Sequence, residues 1–303
     1  MTGLDPLALG GTLYLPATRL DLEPALLGGR IPGLRSAVIC LEDAVLGADL
    51  PAALANLSRF LRRLQHAAAP GAMLFVRPRT PAMLGRILRM PGAERLAGFV
   101  LPKATADSLP AWLALPFAPG HRLMPTLETR EIWDPAETRR LREQLLAVQD
   151  RVLALRIGGN DLLSALGLRR SALRTCYDGP LGPLIAALAG CFLPHGFALS
   201  GPVMERFADL HLLREEIARD LEHGLSSKTA IHPAQLPVIH GALAVGSEEL
   251  AQARDLLCGD APAVFARAGA MCEPATHARW AEALVRRADL FGVADPLPFA
   301  RQA

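Results

Sequence analysis

The sequence lacks an excess of charge of one sign, because 32 Lys and Arg residues face 30 Asp and Glu residues in a chain of 303. The net charge of +2 argues against the broad positive field that nucleic acids and anionic membranes attract. Long hydrophobic runs are also missing, since the longest one, residues 184–193, is far too short to span a membrane. No Lys or Arg precedes the apolar residues of segment 1–11, so we expect a soluble, unexported, cytoplasmic protein.

Several motifs of common enzyme classes are absent as well. The five cysteines are an odd number and form no C-x-x-C pair, which argues against a disulfide framework and a thiolate zinc site. Without a G-x-S-x-G motif, acyl-enzyme hydrolysis has no support. The glycine-rich segment 28–33 lacks the Lys-Ser/Thr of a P-loop, and no glycine-rich turn follows the first apolar run. An open nucleotide-binding sheet is therefore the less favoured architecture.

The chain does contain short, continuous apolar runs that are typical of strands buried on both faces. Each interval between them is long enough for a helix. Eight such runs with intervening helices predict an α/β protein with a (β/α)₈ TIM barrel. The runs occupy residues 13–15, 37–41, 73–76, 98–101, 122–124, 152–157, 197–199 and 229–231.

The last part of the chain has a different pattern. We assign residues 1–245 to the barrel and 246–303 to a C-terminal helical extension, with helices expected at 248–257, 262–271 and 275–291. In the last of these, apolar side chains recur at helical spacing and form a stripe that needs a cover. We prefer a neighbouring subunit as that cover, with the chain's own barrel as the alternative. The stripe consists of Trp280, Leu284, Ala288 and Phe291.

Polar residues follow the predicted strands at their carboxyl ends, where TIM barrels carry their active sites. Glu128 and Asp161 follow consecutive strands, and two carboxylates are the usual protein share of a Mg²⁺ site. For Asp161 the alternative is a helix N-cap, whereas a buried Glu128 would be costly without a cation. Arg77 is either a structural partner of Glu128 or a bidentate clamp for a substrate carboxylate.

Other strand-end residues have two interpretations each. Lys103 and Lys228 are candidates for the Schiff-base lysine of a metal-free aldolase, although ion pairing is the preferred role for both. Glu42 and Asp43 either make hydrogen bonds at a strand end or fix the waters of a metal ion. Arg19, Ser200 and the rim residue His232 complete the set.

Six segments, in order, resemble the signature strands of the HpcH/HpaI aldolase and citrate lyase β-subunit family. The resemblance covers about three quarters of the chain, and its strongest element is the closing segment. The segments read LYLPATR at 13–19, CLEDAV at 40–45, FVR at 75–77, GFVLPK at 98–103, LMPTLET at 123–129 and GLSSKTAIHPAQ at 224–235.

The resemblance implies a Mg²⁺-dependent TIM barrel, with Mn²⁺ as the alternative metal, that makes or breaks a carbon–carbon bond. Its substrate would be a 2-oxo or 2-hydroxy acid or an acyl-CoA thioester, so that CoA would enter as part of the substrate. The C-terminal arm of the family implies a homotrimer or hexamer. The opening segment and residues 175–205 resemble a divergent subgroup found beside tellurium-resistance genes.

The resemblance also implies a role for each strand-end residue. Glu128 and Asp161 would bind the metal, and Arg77 would hold the substrate carboxylate or carbonyl. As further catalytic residues, Glu42 and Asp43 would support the water shell of the metal. Among the remaining positions, Arg19 and Lys228 would line the site, with Lys228 as a further catalytic residue, and we assign Lys103 to substrate binding.

Three functions are compatible with these residues. They are a CoA-type lyase, a CoA-independent aldolase for 2-oxo acids of the pyruvate type, and a non-catalytic barrel that acts as an assembly partner. Loss of a ligand would favour the third, but Arg77, Glu128 and Asp161 are all present. We therefore expect an enzyme that stabilises an enolate next to a divalent cation.

Overall fold

The computed structural model describes residues 4–294 and divides into two units, one up to residue 239 and one from residue 240. The first unit is a closed barrel of eight parallel strands in which each strand pairs with its sequence neighbours. Closure occurs where Gly11 of the first strand pairs with Lys228 of the last. The strands are β1 (Gly11–Pro16), β2 (Ser36–Cys40), β3 (Met73–Arg77), β4 (Gly98–Leu101), β5 (Arg122–Leu127), β6 (Leu155–Ile157), β7 (Leu199–Gly201) and β8 (Ser227–Ala230).

The predicted TIM barrel is confirmed, and each of the eight apolar runs contributes to one strand. Every residue of β2 and β4 is buried, because helices cover the outer face of the sheet while side chains fill its interior. The largest differences lie at strand ends. β6 begins at Leu155 instead of Val152, and β5 continues past Met124 to Leu127.

The helices that follow the strands begin at recognisable signals. At the start of the helix Pro135–Leu146, the side chain of Asp134 accepts a hydrogen bond from the backbone N–H of Ala136, as an N-cap residue does. Apolar residues three and four apart, such as Leu57, Phe60, Leu61 and Leu64, form the buried face of the helix Leu50–His66. The helices are α1 (Leu22–Leu26), α2 (Leu50–His66), α3 (Pro81–Ile87), α4 (Leu109–Leu113), α5 (Pro135–Leu146), α6 (Gly159–Ser164), α7 (Leu181–Phe192), α8 (Leu210–Glu222) and α9 (Gln235–Leu243).

The lower part of the barrel interior is a packed apolar core. Leu9, from a short 3-10 turn before β1, contacts a cluster of inward side chains from several strands. Val38, Phe75, Val100 and Met124 belong to that cluster and are fully buried. Because these residues close the amino end of the barrel, polar inward residues further along the strands face the other end.

The second unit corrects one sequence prediction. It contains α10 (Ser247–Leu256), α11 (Pro274–Phe291) and, between them, the antiparallel strands β9 (Phe265–Arg267) and β10 (Ala270–Cys272). The helix predicted at 262–271 is therefore wrong. Ala268 and Gly269 have φ values of 49° and 76°, and two positive φ angles are what a two-residue hairpin turn requires.

The apolar stripe of α11 is covered partly by its own unit. Leu284 and Ala288 are buried in a core that also contains Val245 and Leu250. In contrast, the side chain of Trp280 is 40% exposed. The predicted covers were a neighbouring subunit or the barrel, whereas part of the stripe packs against the rest of the extension. Within the described residues, no helix combines the length and apolarity that a membrane crossing demands.

Candidate functional site

Arg77 is the centre of a buried ionic cluster at the carboxyl end of the barrel. It is the last residue of β3 and lies two positions after Phe75, so strand alternation also directs its side chain inward. Its Nη2 donates to Glu128 Oε1 at 2.9 Å and lies 2.8 Å from Glu42 Oε2. All three residues are buried. One guanidinium group thus joins the ends of three strands.

Lys103 is the second cation of the cluster. Its Nζ donates to Glu42 Oε1 at 2.7 Å, and its backbone N–H donates to Glu128 Oε1, also at 2.7 Å. Lys103 has a φ of 50°, an unfavourable backbone conformation for a residue with a long side chain. That conformation lets backbone and side chain of one residue bind two different carboxylates.

Asp43 is the exposed carboxylate of the cluster, with half of its side chain open to solvent. It lies between the two cations, 3.5 Å from Arg77 Nη2 and 3.5 Å from Lys103 Nζ. Burial and the neighbouring carboxylate of Glu42 raise the pKa of Asp43 to about 6. For Glu42, burial would raise the pKa, but hydrogen bonds from Asp43 and Lys103 and the charge of Arg77 hold it at about 2.

Asp161 lies in the first turn of α6, directly after β6. Gly158 is the N-cap residue of this helix, so the N-cap interpretation of Asp161 is wrong. A Cβ atom on Gly158 would lie only 2.4 Å from Glu128 Cβ, which shows how closely the start of α6 approaches Glu128. Burial and the negative charge of Asp161 raise the pKa of Glu128, whereas the positive charge of Arg77 lowers it. The resulting pKa is about 7.

The cluster has the donor set of a magnesium site. Four carboxylates face two cations in it, so it carries an excess of two negative charges when all groups are ionised. Across residues 4–294 no group of three His, Cys, Asp or Glu side chains is arranged to enclose a metal. Mg²⁺ is usually bound by one or two protein carboxylates, while water and substrate oxygens occupy its other coordination positions. Glu128 and Asp161 fit such a site, and Zn²⁺, which prefers nitrogen and sulfur ligands, does not.

Lys228 and Arg19 are not brought to this cluster. Thr229 points into the barrel and bonds to Arg156, so the adjacent Lys228 points outward. There its Nζ donates to Glu216 Oε1 at 3.0 Å and to Asp220 Oδ2 at 2.7 Å. Lys228 therefore lies between the barrel wall and α8, and its side chain does not face the barrel mouth. The exposed Arg19 pairs with Asp21 at 2.7 Å.

The two lysines are poor candidates for Schiff-base chemistry, which needs an amine with a lowered pKa. Burial alone would lower both values, but neighbouring carboxylates outweigh it. Glu42 and Asp43 raise the pKa of Lys103, and Asp220 and Glu216 raise that of Lys228. Both side chains therefore stay ammonium ions, in agreement with the preferred ion-pairing role.

Two other candidates lie apart from the cluster. The hydroxyl of Ser200 is buried inside the barrel on β7. His232 is exposed at the rim, and its ring stacks on Phe207 with 4.8 Å between the ring centroids. Neither residue contacts Arg77 or Glu128 through a hydrogen bond.

Three residues around the site were not predicted from the sequence. Arg79 donates from Nη2 to the backbone oxygen of Glu42 at 3.1 Å and so holds the segment that carries two carboxylates. Tyr14 and Arg156 lie inside the barrel, where the guanidinium of Arg156 is 5.3 Å from the ring of Tyr14. The sequence does indicate Arg156, because an arginine interrupts the apolar run 152–157 at that position.

Comparison with known proteins places this site in context. The sequence matches the family described as C–C bond lyases of the TIM-barrel fold over residues 3–293. A (3S)-malyl-CoA thioesterase of Cereibacter sphaeroides is 30% identical over 162 residues, which are 53% of this chain and 48% of that protein. The chain thus spans about half the length of the curated relatives it matches.

Two solved structures share the fold along almost the whole chain. The protein CitE of Mycobacterium tuberculosis, in complex with magnesium, acetoacetate and coenzyme A, has a TM-score of 0.69 at 23% identity. That alignment covers 94% of this chain and 99% of CitE. A citrate lyase of Burkholderia xenovorans LB400 has a TM-score of 0.71 at 19% identity, with 97% of each chain covered.

Proposed function

The chain belongs to the C–C bond lyase family of the TIM-barrel fold, and from this we propose that it cleaves or forms a carbon–carbon bond in a small 2-oxo or 2-hydroxy acid. The observation that carries the proposal is the bridge from Arg77 to Glu42 and Glu128 at the barrel mouth. This bridge holds an anion-binding group directly beside a carboxylate suited to Mg²⁺. The reaction needs both groups, because negative charge develops between them.

Arg77 has the geometry of an oxyanion clamp. Its Nη2 pairs with Glu42 and Glu128 and lies 3.5 Å from Asp43 Oδ2, whereas its buried Nε has no hydrogen-bond partner within residues 4–294. These carboxylates hold one end of the guanidinium group, and its remaining N–H groups would be donors for a substrate carboxylate or carbonyl oxygen. Arg77 would therefore orient the substrate.

Asp43 is best placed to exchange a proton with the substrate. In the cleavage direction, the substrate hydroxyl loses its proton, the oxygen electron pair forms a carbonyl, and the broken C–C bond leaves an enolate. The carboxylate of Asp43 is accessible and lies between Arg77 and Lys103, so it can accept that proton. Glu42 would remain an acceptor for both cations and keep their side chains in position.

The metal would be held by Glu128 and Asp161. When bound, Mg²⁺ or Mn²⁺ supplies positive charge that stabilises the enolate. The charge excess of the cluster and the raised pKa of Glu128 both support a cation at this place. Lys103 would fix Glu128 through its backbone N–H.

An acyl-CoA thioester is the second candidate substrate. It is supported by the Cereibacter relative, a (3S)-malyl-CoA thioesterase, and by the coenzyme A bound to CitE.

For the assembly, we propose a homotrimer or hexamer, because the partly exposed Trp280 leaves an apolar side chain for a subunit contact.

The test combines metal binding with product analysis. Thermal unfolding of the wild type should shift upward in millimolar Mg²⁺, and Glu128→Gln should abolish the shift. Glu131→Gln is the matched control, because Glu131 is nearby on the chain but pairs with Arg130 at the surface. NMR of reactions with malate, citrate and malyl-CoA would identify products of C–C cleavage. A Mg²⁺ shift retained in Glu128→Gln, or no cleavage of any acid or thioester, would overturn the proposal.

A further inference from the structure

Arg156 is a buried cation without a counter-ion. It lies inside the barrel on β6 and is only 2% exposed. Its Nη2 donates to Thr229 Oγ1 at 2.6 Å and its Nη1 to Thr12 Oγ1 at 3.3 Å. Within residues 4–294, its Nε has no hydrogen-bond partner, and no carboxylate lies within ion-pair distance of the guanidinium.

The other buried cations of the barrel, Arg77 and Lys228, have acidic counter-ions. Arg77 pairs with Glu42 and Glu128, and Lys228 pairs with two acidic residues of α8. Burial of a charge is costly unless an opposite charge and hydrogen bonds compensate it. Arg156 has only neutral partners, so an anion from outside the chain would complete its surroundings.

Hydroxyl groups surround the same position. Arg156 pairs in register with Thr126 on one side and with Ser200 on the other, and Ser200 pairs with Ser227. The hydroxyls of these three neighbours are buried and have no partner among the described residues. Each can rotate to donate to an oxyanion. Four adjacent strands, β5 to β8, therefore place unpaired donors on the inner face at one level of the barrel.

Tyr14 lies near both this position and the site at the barrel mouth. Tyr14 and Thr229, which both contact Arg156, are only partly buried, although their neighbours in the interior are fully buried. Burial raises the pKa of Tyr14, and the positive charges of Arg156 and Arg77 both act against that rise. One aromatic side chain thus lies within electrostatic range of both arginines.

We propose that Arg156 and the hydroxyls around it form a second oxyanion subsite, which binds the carboxylate at the end of the substrate remote from the metal. This inference rests on the proposed function and narrows its substrate class to dicarboxylic 2-hydroxy or 2-oxo acids. Arg77 would then bind the reacting end and Arg156 the distal carboxylate. A substrate with a methyl group in place of that carboxylate would leave Arg156 uncompensated.

The test compares two acids that differ only at the distal group. Malate carries a carboxylate where 2-hydroxybutyrate carries a methyl group. We expect calorimetry in Mg²⁺ to show at least tenfold tighter binding of malate to the wild type. In Arg156→Met this ratio should fall toward one, while the affinity for 2-hydroxybutyrate stays the same. Arg122→Met is the matched control, because Arg122 begins β5 and bonds to the backbone oxygen of Pro119.

Further variants and ligands separate the outcomes. If Arg156→Met does not fold, Arg156→Lys keeps the charge but loses the planar fork, and the ratio should fall at least threefold. An unchanged ratio in a folded Arg156 variant overturns the subsite. If phosphate or chloride competes with malate, but substitution of Arg156 leaves the ratio of the two affinities unchanged, the position binds an adventitious inorganic ion only. That result would also overturn the subsite. Failure of the proposed function is distinct, since binding of both acids would then be independent of Mg²⁺ and of Glu128.

Discussion

The contact between Gly158 and Glu128 leads to a sharp prediction for Gly158→Ala. The added Cβ would lie 2.4 Å from Glu128 Cβ and 2.5 Å from Glu128 Oε2, whereas real Cβ contacts are essentially never shorter than 3.0 Å. Because the first of these contacts involves Cβ and not the flexible end of a side chain, the end of β5 or the start of α6 must shift. Overpacking of this kind costs about 1–3 kcal/mol.

Two measurements should report that shift. The melting temperature of Gly158→Ala should fall by about 2–12 °C, since 1 kcal/mol corresponds to about 2–4 °C in a domain of this size. The stabilisation by Mg²⁺ should also be weaker than in the wild type, because the Glu128 carboxylate moves relative to Asp161. Differential scanning calorimetry with and without Mg²⁺ gives both values in one experiment.

Gly190→Ala is the matched control. Gly190 is exposed on α7, and a Cβ there meets nothing within 4 Å. Alanine favours the helix by about 0.5–1 kcal/mol over glycine, so this variant should be as stable as the wild type or slightly more so. If Gly158→Ala matched Gly190→Ala in stability and kept the full Mg²⁺ response, the argument that Gly158 makes room for Glu128 would be refuted.

Three other predictions concern the ion pairs and the extension. Arg77→Lys keeps the charge but loses the planar fork, so calorimetry should show malate binding weakened by about 1.5–3 kcal/mol; equal affinities would mean that Arg77 is structural. Lys228→Met removes the cation shared by Glu216 and Asp220 of α8, of which only Glu216 keeps another cation, Arg170, so urea unfolding should show a loss of about 3–5 kcal/mol, and a loss below 1 kcal/mol would contradict the buried network. Trp280→Asp places a charge on the exposed part of the α11 stripe, and light scattering should show fewer subunits per particle than in the wild type, whereas an unchanged number would exclude Trp280 from the subunit contact.

The sequence predicted the barrel because its signals are local. A strand buried on both faces needs a continuous apolar run, and eight runs with space for helices allow few other arrangements. The same logic predicted that Arg77, Glu128, Glu42 and Lys103 meet, since the carboxyl ends of parallel strands converge. The hairpin in the extension was missed because residues 262–271 are rich in alanine, and the positive φ of Ala268 is not encoded by its residue type.

Tertiary structure alone decided which side of the barrel wall each side chain faces. Successive residues of a strand point to opposite faces, so a shift of one position moves Lys228 from the interior to the layer beneath α8. That register is fixed by pairing between distant segments, such as Gly11 with Lys228, and no local pattern contains it. The same long-range pairing directs Arg156 inward, away from any carboxylate of the described chain. The amino-acid sequence by itself therefore determined the barrel and the residue types at its mouth, while closure of the barrel determined which of them share one site.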